Sequence, residues 1–386
     1  MQNSRIVLKL VRQYATCSKA DLARRSGLSA PTVAAAITEL ADHGFVEYLG
    51  EGPSSGGRRP ELLRFCPTHR IVAAVDIGGT RLRLMLADLN GATVAERKCL
   101  LAPSEKDPAA ICRQIHELIL GACADAVISP DKIVHLAVGA PGITDVKRGV
   151  VLSAPNLTGW TDVALQQMLE QLCGIPATIE NDVNLAAIGE HWRGAAENVD
   201  QFIFIAMGTG IGAGIYLNGQ LHHGAQWSAG EMGYLPASGM EREMPDAEAL
   251  GQLERTIGGV GIERKWRELL LLSGQDGDRA LMDLPATGIF DRVGAQQDLE
   301  AIAVLNYTAR QLADAIVIAM LIVNPSLIVL GGGIGSHPCL QRETERLLGE
   351  ARFSLPTVRT STLGLHAQLY GAVALALEAV ENQLVC

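Results

Sequence analysis

Residues 178–234 read TIENDVNLAAIGEHWRGAAENVDQFIFIAMGTGIGAGIYLNGQLHHGAQWSAGEMGY, and the fold is decided by this stretch. A short apolar run ends in Glu180-Asn181-Asp182, which delivers carboxylate and amide groups where a strand stops and a helix begins. A second apolar run, 202–207, leads at once into Gly208-Thr209-Gly210-Ile211-Gly212-Ala213-Gly214, with four glycines at alternate positions. Glycines so spaced are not packing residues: they leave backbone N–H groups open to an anion or let a ligand approach the chain closely. A second acid, Glu231, stands between glycines in Gly230-Glu231-Met232-Gly233. An acid for general-base chemistry, a glycine turn for phosphate and polar groups for a hydroxyl-rich ligand together point to a sugar-handling site.

The 386 residues exceed what one compact core holds, so two or three domains are expected. Hydrophobic residues make up 48%, aromatics only 4%, and 41 glycines are spread along the chain, which suits an α/β protein with many strand-to-helix turns. No apolar run reaches the ~18 residues of a membrane span, and the start MQNSRIVLKLVRQY lacks the apolar middle of a signal peptide, so a cytoplasmic protein with no membrane partner is expected. The eight cysteines form no C-x-x-C pair, which reads as free thiols with neither disulfides nor a cysteine-built metal site. Net charge is −10, but residues 1–70 hold ten Lys and Arg against six Asp and Glu, +4, leaving −14 for the rest. A basic head on an acidic body suggests a nucleic-acid module joined to something else.

In the head, Ile6, Val7, Leu10 and Val11 fall at helical spacing. A second helix over 19–25 is expected to stop at Ser26-Gly27, where Gly27 takes the left-handed conformation. Ser29 caps a third helix over 31–43, with Pro31 in the first turn and Val33, Ile37 and Leu40 on one apolar face. Two helices joined by a tight glycine turn are the helix-turn-helix pattern, with Ser29, Ala30, Thr32 and Ala35 at the reading end. Strands over 45–49 and 61–65 enclose a wing whose tip carries Gly56-Gly57-Arg58-Arg59-Pro60, and Arg58 and Arg59 suit a narrow, electronegative minor groove. A module for protein contacts is the rival reading, but spacing, caps, wing and charge agree on DNA.

In the body, the apolar strand 71–75 ends in Asp76-Ile77-Gly78-Gly79-Thr80, and 81–88 alternates like a second strand, with Gly78 and Gly79 in the hairpin turn. Such a D-x-G-x-T turn is how the actin-like ATPase and sugar-kinase fold grips phosphate and Mg²⁺. Leu330-Gly331-Gly332-Gly333 repeats the theme and suits the adenosine end of a nucleotide. Asn156 sits in an otherwise nonpolar loop, where its amide reads equally as a sugar contact or a turn former. His191, His222 and His223 read as surface or loop residues, since adjacent histidines on a strand point to opposite faces. Trp160, Trp192 and Trp227 are read first as core and second as sugar-stacking residues.

In order along the chain stand D-x-G-G-T at 76–80, G-A-P-G at 139–142, A-P-N-L-x-G-W at 154–160, E-N-D-x-N at 180–184, G-T-G-I-G-x-G at 208–214, G-E-M-G at 230–233 and G-G-G-I at 331–334. This order resembles the ROK family of repressors, open reading frames and kinases, and the G-G-R-R-P wing on a helix-turn-helix resembles the family's repressors. The resemblance implies a winged helix-turn-helix over 1–70 and, over 71–386, a two-lobed actin-like sugar-kinase (ribonuclease H-like) ATPase fold. It implies that Asn156, Asn181, Asp182 and Glu231 contact sugar hydroxyls, with Asp182 as general base in a kinase. By the same resemblance Asp76, Gly78, Gly79, Thr80, Gly208, Thr209 and Gly210 surround ATP phosphates, and Gly332 and Gly333 lie near the adenosine.

Most members also carry a histidine after G-E-x-G and three cysteines that complete a structural zinc site. Here those positions are Tyr234, Pro245, Ala247 and Gln252, so no zinc is expected, and Tyr234 offers a hydroxyl in place of the sugar-contacting histidine. The reading is a cytoplasmic, sugar-responsive regulator, most simply a repressor, that takes a sugar or sugar phosphate and binds operator DNA as a homodimer or homotetramer. The rival is an ATP-dependent sugar kinase with a DNA-binding head, using Mg·ATP and Asp182.

Overall fold

The computed structural model describes residues 2–52, 59–102, 106–155, 157, 159–247, 249–275, 277–296 and 298–383. The head comprises α1 (Gln2–Gln13), the two-residue strand β1 (Cys17–Ser18), α2 (Lys19–Ser26), α3 (Ala30–Asp42), β2 (Val46–Glu51) and β3 (Glu61–Phe65). Local chemistry sets the helix ends. Ser18 and Asp21 form a reciprocal capping box at the start of α2, a signal that Ser-x-x-Asp carries in the sequence. Gly27 stops α2 at φ 70°, and the Ser29 hydroxyl accepts the Thr32 N–H at 3.3 Å to start α3. The strand expected from residue 45 begins at Val46, because the Phe45 N–H still closes the end of α3 on the Leu40 carbonyl at 2.9 Å. The three head strands pair in the order β1-β3-β2.

The first lobe of the body holds β4 (Ile71–Ile77), β5 (Arg81–Asp88), β6 (Thr93–Leu100), α4 (Pro108–Asp125) and β7 (Ile133–Ala140). It continues through β8 (Ile143–Asp145), β9 (Val150–Ser153), β10 (Thr161–Val163), α5 (Leu165–Cys173) and β11 (Ala177–Asn181). From there α6 (Asp182–Arg193) carries the chain across to β12 (Phe202–Met207), β13 (Ile211–Leu217) and β14 (Gln220–Leu221) of the second lobe. That lobe adds the helices α7 (Gln252–Ile257), α8 (Gly259–Ser273), α9 (Arg279–Met282), α10 (Ala286–Gln296) and α11 (Leu299–Val323). It closes with β15 (Leu327–Gly331), α12 (Gly332–Gly335), α13 (Pro338–Leu348) and β16 (Thr357–Thr360), and α14 (Ala367–Gln383) returns to the first lobe.

The lobes share one topology. The sheet orders are β11-β7-β4-β5-β6 and β14-β13-β12-β15-β16, each an antiparallel three-stranded meander extended by two parallel strands. Strand β4 is buried on both faces: Ile71, Ala73 and Val75 enter the core under α4 and α5, and Val72 and Ala74 face α14. The second of these cores does not end with the body. It runs from Val72 and Ala74 through Leu369, Val373 and Leu377 of α14 into Leu8, Val11 and Phe65 of the head, so head and body share apolar packing.

Helix α11 is long and apolar enough to cross a membrane by length and composition. In the sequence Glu300, Arg310 and Asp314 interrupt its apolar run, and in the fold Val304, Leu312 and Ile316 give one side of it to the second-lobe core.

Candidate functional site

Strand register assembles the cleft. Parallel pairing sets Asp76 of β4 opposite Gly139 of β7, and Gly139 opposite Glu180 of β11, so Asp76 and Glu180-Asn181-Asp182 finish at one carboxyl edge of the sheet. Asn181 is the N-cap of α6: its Oδ1 accepts the N–H groups of Val183 at 2.9 Å and Asn184 at 3.0 Å, and its Nδ2 donates to the Gly142 carbonyl at 2.9 Å. The side chain expected to meet a sugar therefore first fixes the helix that presents Asp182. Burial, then the nearby Asp76 carboxylate and more weakly Glu231, push the Asp182 carboxyl up to about 7. Burial and the neighbouring Glu254 push Glu231 to about 7 as well. Four carboxyls thus crowd one cleft from four different segments, the pattern of a site built to hold a polar ligand.

The glycine turns border this cluster. The Gly78 N–H bonds the Arg81 carbonyl at 3.0 Å to close the β4–β5 turn, Gly79 and Thr80 are exposed, and Lys106 donates to the Gly79 carbonyl at 2.7 Å. In the second lobe Gly208 bonds Gly210 across its own turn at 3.0 Å, with Thr209 exposed at the tip. A Cβ placed on Gly79, Gly208 or Gly333 would meet nothing within 4 Å, so these glycines face open space. Pairing of β12 with β15, Ala206 opposite Gly331, brings Gly332 and Gly333 beside the 208–210 turn. Gly332 cannot be otherwise: its φ is 78° and a Cβ there would lie 2.3 Å from the Met207 carbonyl oxygen.

Three contributors go beyond the residues expected from the sequence. Arg83 binds the Asp76 carboxylate from Nη2 at 2.8 Å and Nε at 3.0 Å. A two-residue Gly78-Gly79 turn, as expected from the sequence, would set Asp76 opposite Arg81; the turn spans residues 78–81 instead, and this register brings Arg83 to Asp76. Glu254, on α7, accepts the Ile211 N–H at 2.9 Å and stands beside Gly210. His223, expected on the surface or in a loop, lies in the loop after β14, is partly buried and meets Glu180 Oε2 at 2.7 Å, while Glu180 Oε1 accepts from Asn184 Nδ2 at 2.9 Å. Of the tryptophans, Trp160 is core, with its indole N–H on the Lys106 carbonyl at 2.7 Å. Asn156 and Arg58 lie outside the described residues.

Of the family's two metal positions, zinc is not expected here, and hydrated Mg²⁺ is expected at Asp76 only for a kinase. The zinc positions do not fit a metal: the Tyr234 hydroxyl donates to the Ala249 carbonyl at 3.0 Å, Gln252 Nε2 donates to the Glu241 carbonyl at 2.7 Å, and proline and alanine offer no donor. At Asp76 both Arg83 bonds fall on Oδ2, so a hydrated Mg²⁺ there would share the carboxylate with a guanidinium. In the head, Ser29, Ala30 and Ala35 are exposed at the start of α3, and Thr32 is partly covered with its hydroxyl 2.7 Å from that of Ser29. Arg59 is exposed at the base of the wing, 3.7 Å from Glu51.

Two like lobes with glycine turns and carboxylates at their facing strand ends define a sugar-kinase-like fold, here joined to a winged helix-turn-helix. Residues 72–379 match the ROK family and residues 2–47 the winged helix-turn-helix DNA-binding family, and the chain belongs to the ROK family. It is 28% identical over 340 residues to a putative xylose repressor of Caldicellulosiruptor sp. (strain Rt8B.4), covering 85% of this chain and 82% of that protein. In fold it is similar to a ROK family transcriptional regulator homologous to the E. coli MLC protein, with a TM-score of 0.80 at 22% identity over 99% of this chain and 97% of the other. It is also similar to a ROK family glucokinase from Streptomyces griseus in complex with glucose and AMPPNP, with a TM-score of 0.68 at 25% identity over 80% of this chain and 99% of that one.

Proposed function

We propose that the chain is a sugar-responsive transcriptional repressor of the cytoplasm, with a DNA-binding head over residues 1–70 and a sugar-sensing body beyond it. The observation that carries this reading is the apolar core shared by the head and α14, which makes the head a part of the body's packing and so able to feel lobe movement. A sugar or sugar phosphate lies between the lobes against Asn156, Asn181, Asp182, Glu231 and Tyr234, with any phosphoryl group at the turns Gly78-Gly79-Thr80 and Gly208-Thr209-Gly210. Contacts available only in the closed cleft favour closure, and closure changes the spacing of two heads in a homodimer on a palindromic operator. Ser29, Ala30, Thr32 and Ala35 face base edges, and Arg58 and Arg59 enter the minor groove.

The kinase reading has one feature in its favour: burial and Asp76 push the Asp182 carboxyl up to about 7, near the pH at which a general base works best once it has lost its proton. Arg83 on Asp76 weighs against it. The test is operator affinity, by fluorescence anisotropy, across a panel of sugars and sugar phosphates led by xylose, which the relative's name suggests. A sugar that weakens operator binding without being consumed supports the repressor. Turnover of Mg·ATP with any sugar, or constant operator affinity throughout, refutes it.

A further inference from the structure

We propose that Arg83 is an internal cation that ties the phosphate end of the cleft to the C-terminal helix, so that α14 reads the state of Asp76 and passes it to the head. This deepens the sensor reading of the cleft and rests on it. The guanidinium spans two elements. Toward the sheet it binds Asp76, whose side chain is 5% exposed, through Nη2 and Nε. Away from the sheet Nη1 donates to the Leu365 carbonyl, and Nη2 lies 3.3 Å from Gln368 Oε1. Leu365 is in the turn that leads into α14, and Gln368 is in its first turn.

Both lobe-to-lobe crossings meet at this point. One is α6, which begins at Asp182, and the other is the segment from β16 into α14. The two helices touch backbone to backbone: a Cβ on Gly189 would lie 2.2 Å from the Ala367 carbonyl oxygen, and one on Gly371 1.8 Å from that of Leu185. At Gly189 and Gly371 no side chain separates the helices, and Leu185 packs with Leu369, Ala372 and Val373 beside them, so a shift of one helix is felt by the other. Glu190, fully buried near the end of α6, accepts the Leu363 N–H at 3.2 Å and the Ala195 N–H at 2.6 Å and takes a hydrogen bond from Ser361. The entry to α14 is thus held by carboxylates on both sides, directly by Glu190 and through Arg83 by Asp76.

At its far end α14 reaches the head. Leu377 and Val380 join the core of Leu8 and Phe65, and Glu381 pairs with Arg12, which also donates to the Leu89 carbonyl at 2.8 Å. A helix of 17 residues is about 25 Å long, so it connects cleft to head as one rod. A guanidinium binds a phosphoryl group in the same forked geometry as a carboxylate. A phosphoryl group arriving at the Gly78-Gly79-Thr80 turn competes for Arg83 and frees the entry to α14.

The test uses the full chain with Arg83→Gln and Asp76→Asn/Arg83→Gln, reading hydrogen exchange along α14 and operator affinity without sugar. Arg83→Gln is expected to speed exchange of the first turns of α14 about tenfold and to shift operator Kd about fivefold or more. The double variant removes the unpaired buried carboxylate, so it recovers thermal stability but keeps the altered exchange and affinity. If the double variant returns both readouts to wild type, or if faster exchange stays within the β4–β5 hairpin, the proposal is overturned. Should the wild-type chain bind no operator, the repressor reading fails, and exchange in α14 still decides the role of Arg83.

Discussion

Replacing Asp182 with Asn tests the electrostatics of the cleft directly. Asp182 has an ordinary value of 3.8 and is pushed to about 7 by burial and by Asp76. A carboxyl raised in the folded state binds its proton more tightly there than in the unfolded chain. Between about pH 4 and 7 the native state therefore holds more protons, and its stability falls as pH rises through that window. A rise from 3.8 to about 7 corresponds to roughly 4 kcal/mol at full effect, and partial exposure of the side chain reduces this to about 1–2 kcal/mol between about pH 5.5 and 8. Asparagine keeps the shape and hydrogen bonding but does not titrate. In urea unfolding of the ligand-free protein, wild type should lose about 1–2 kcal/mol more across that range than Asp182→Asn, which keeps the loss due to Glu231, and the variant should be the more stable at about pH 8. Parallel pH profiles for the two proteins would refute the assignment of the raised carboxyl to Asp182.

Other outcomes follow from particular residues. Gly332→Ala should cost about 2–3 kcal/mol, read by thermal or urea unfolding, because alanine is strained at φ 78° and its Cβ meets the Met207 carbonyl. Ser29→Ala removes the hydroxyl that caps α3 and should destabilise the head by about 1 kcal/mol, seen as earlier loss of helix signal on heating. Arg59→Ala should weaken operator binding about evenly across sequences and lower the slope of log affinity against log salt by about 1, measured by anisotropy titrations.

The glycine turns, the Glu180-Asn181-Asp182 and Gly230-Glu231 acids and the capped helices of the head were all legible because each is local. Gly27 stops a helix and Ser29 starts one through bonds within four residues, and a glycine-rich turn after an apolar run needs no partner to be recognised. Arg83 and His223 were not legible as site residues, since their meaning comes from a partner. Arg83 looks like one more polar residue of an alternating strand until the hairpin sets it against Asp76, and His223 lies 43 residues from Glu180. Asn181 was legible as a residue of the site, but its part in capping α6 depends on how the strand enters the helix.

The sequence by itself determined the capped helices of the head, the family motifs, and the residue types Tyr234, Pro245, Ala247 and Gln252 at the zinc positions, because these rest on residue type and spacing. Tertiary structure alone decided that Asp76 is held by a guanidinium, that α6 and α14 touch through Gly189 and Gly371, and that the core of the head continues into α14. Those facts depend on strand register and on the approach of backbones far apart in the chain. A local pattern of residues specifies which surfaces are apolar or charged, and only the packed fold specifies which of them meet.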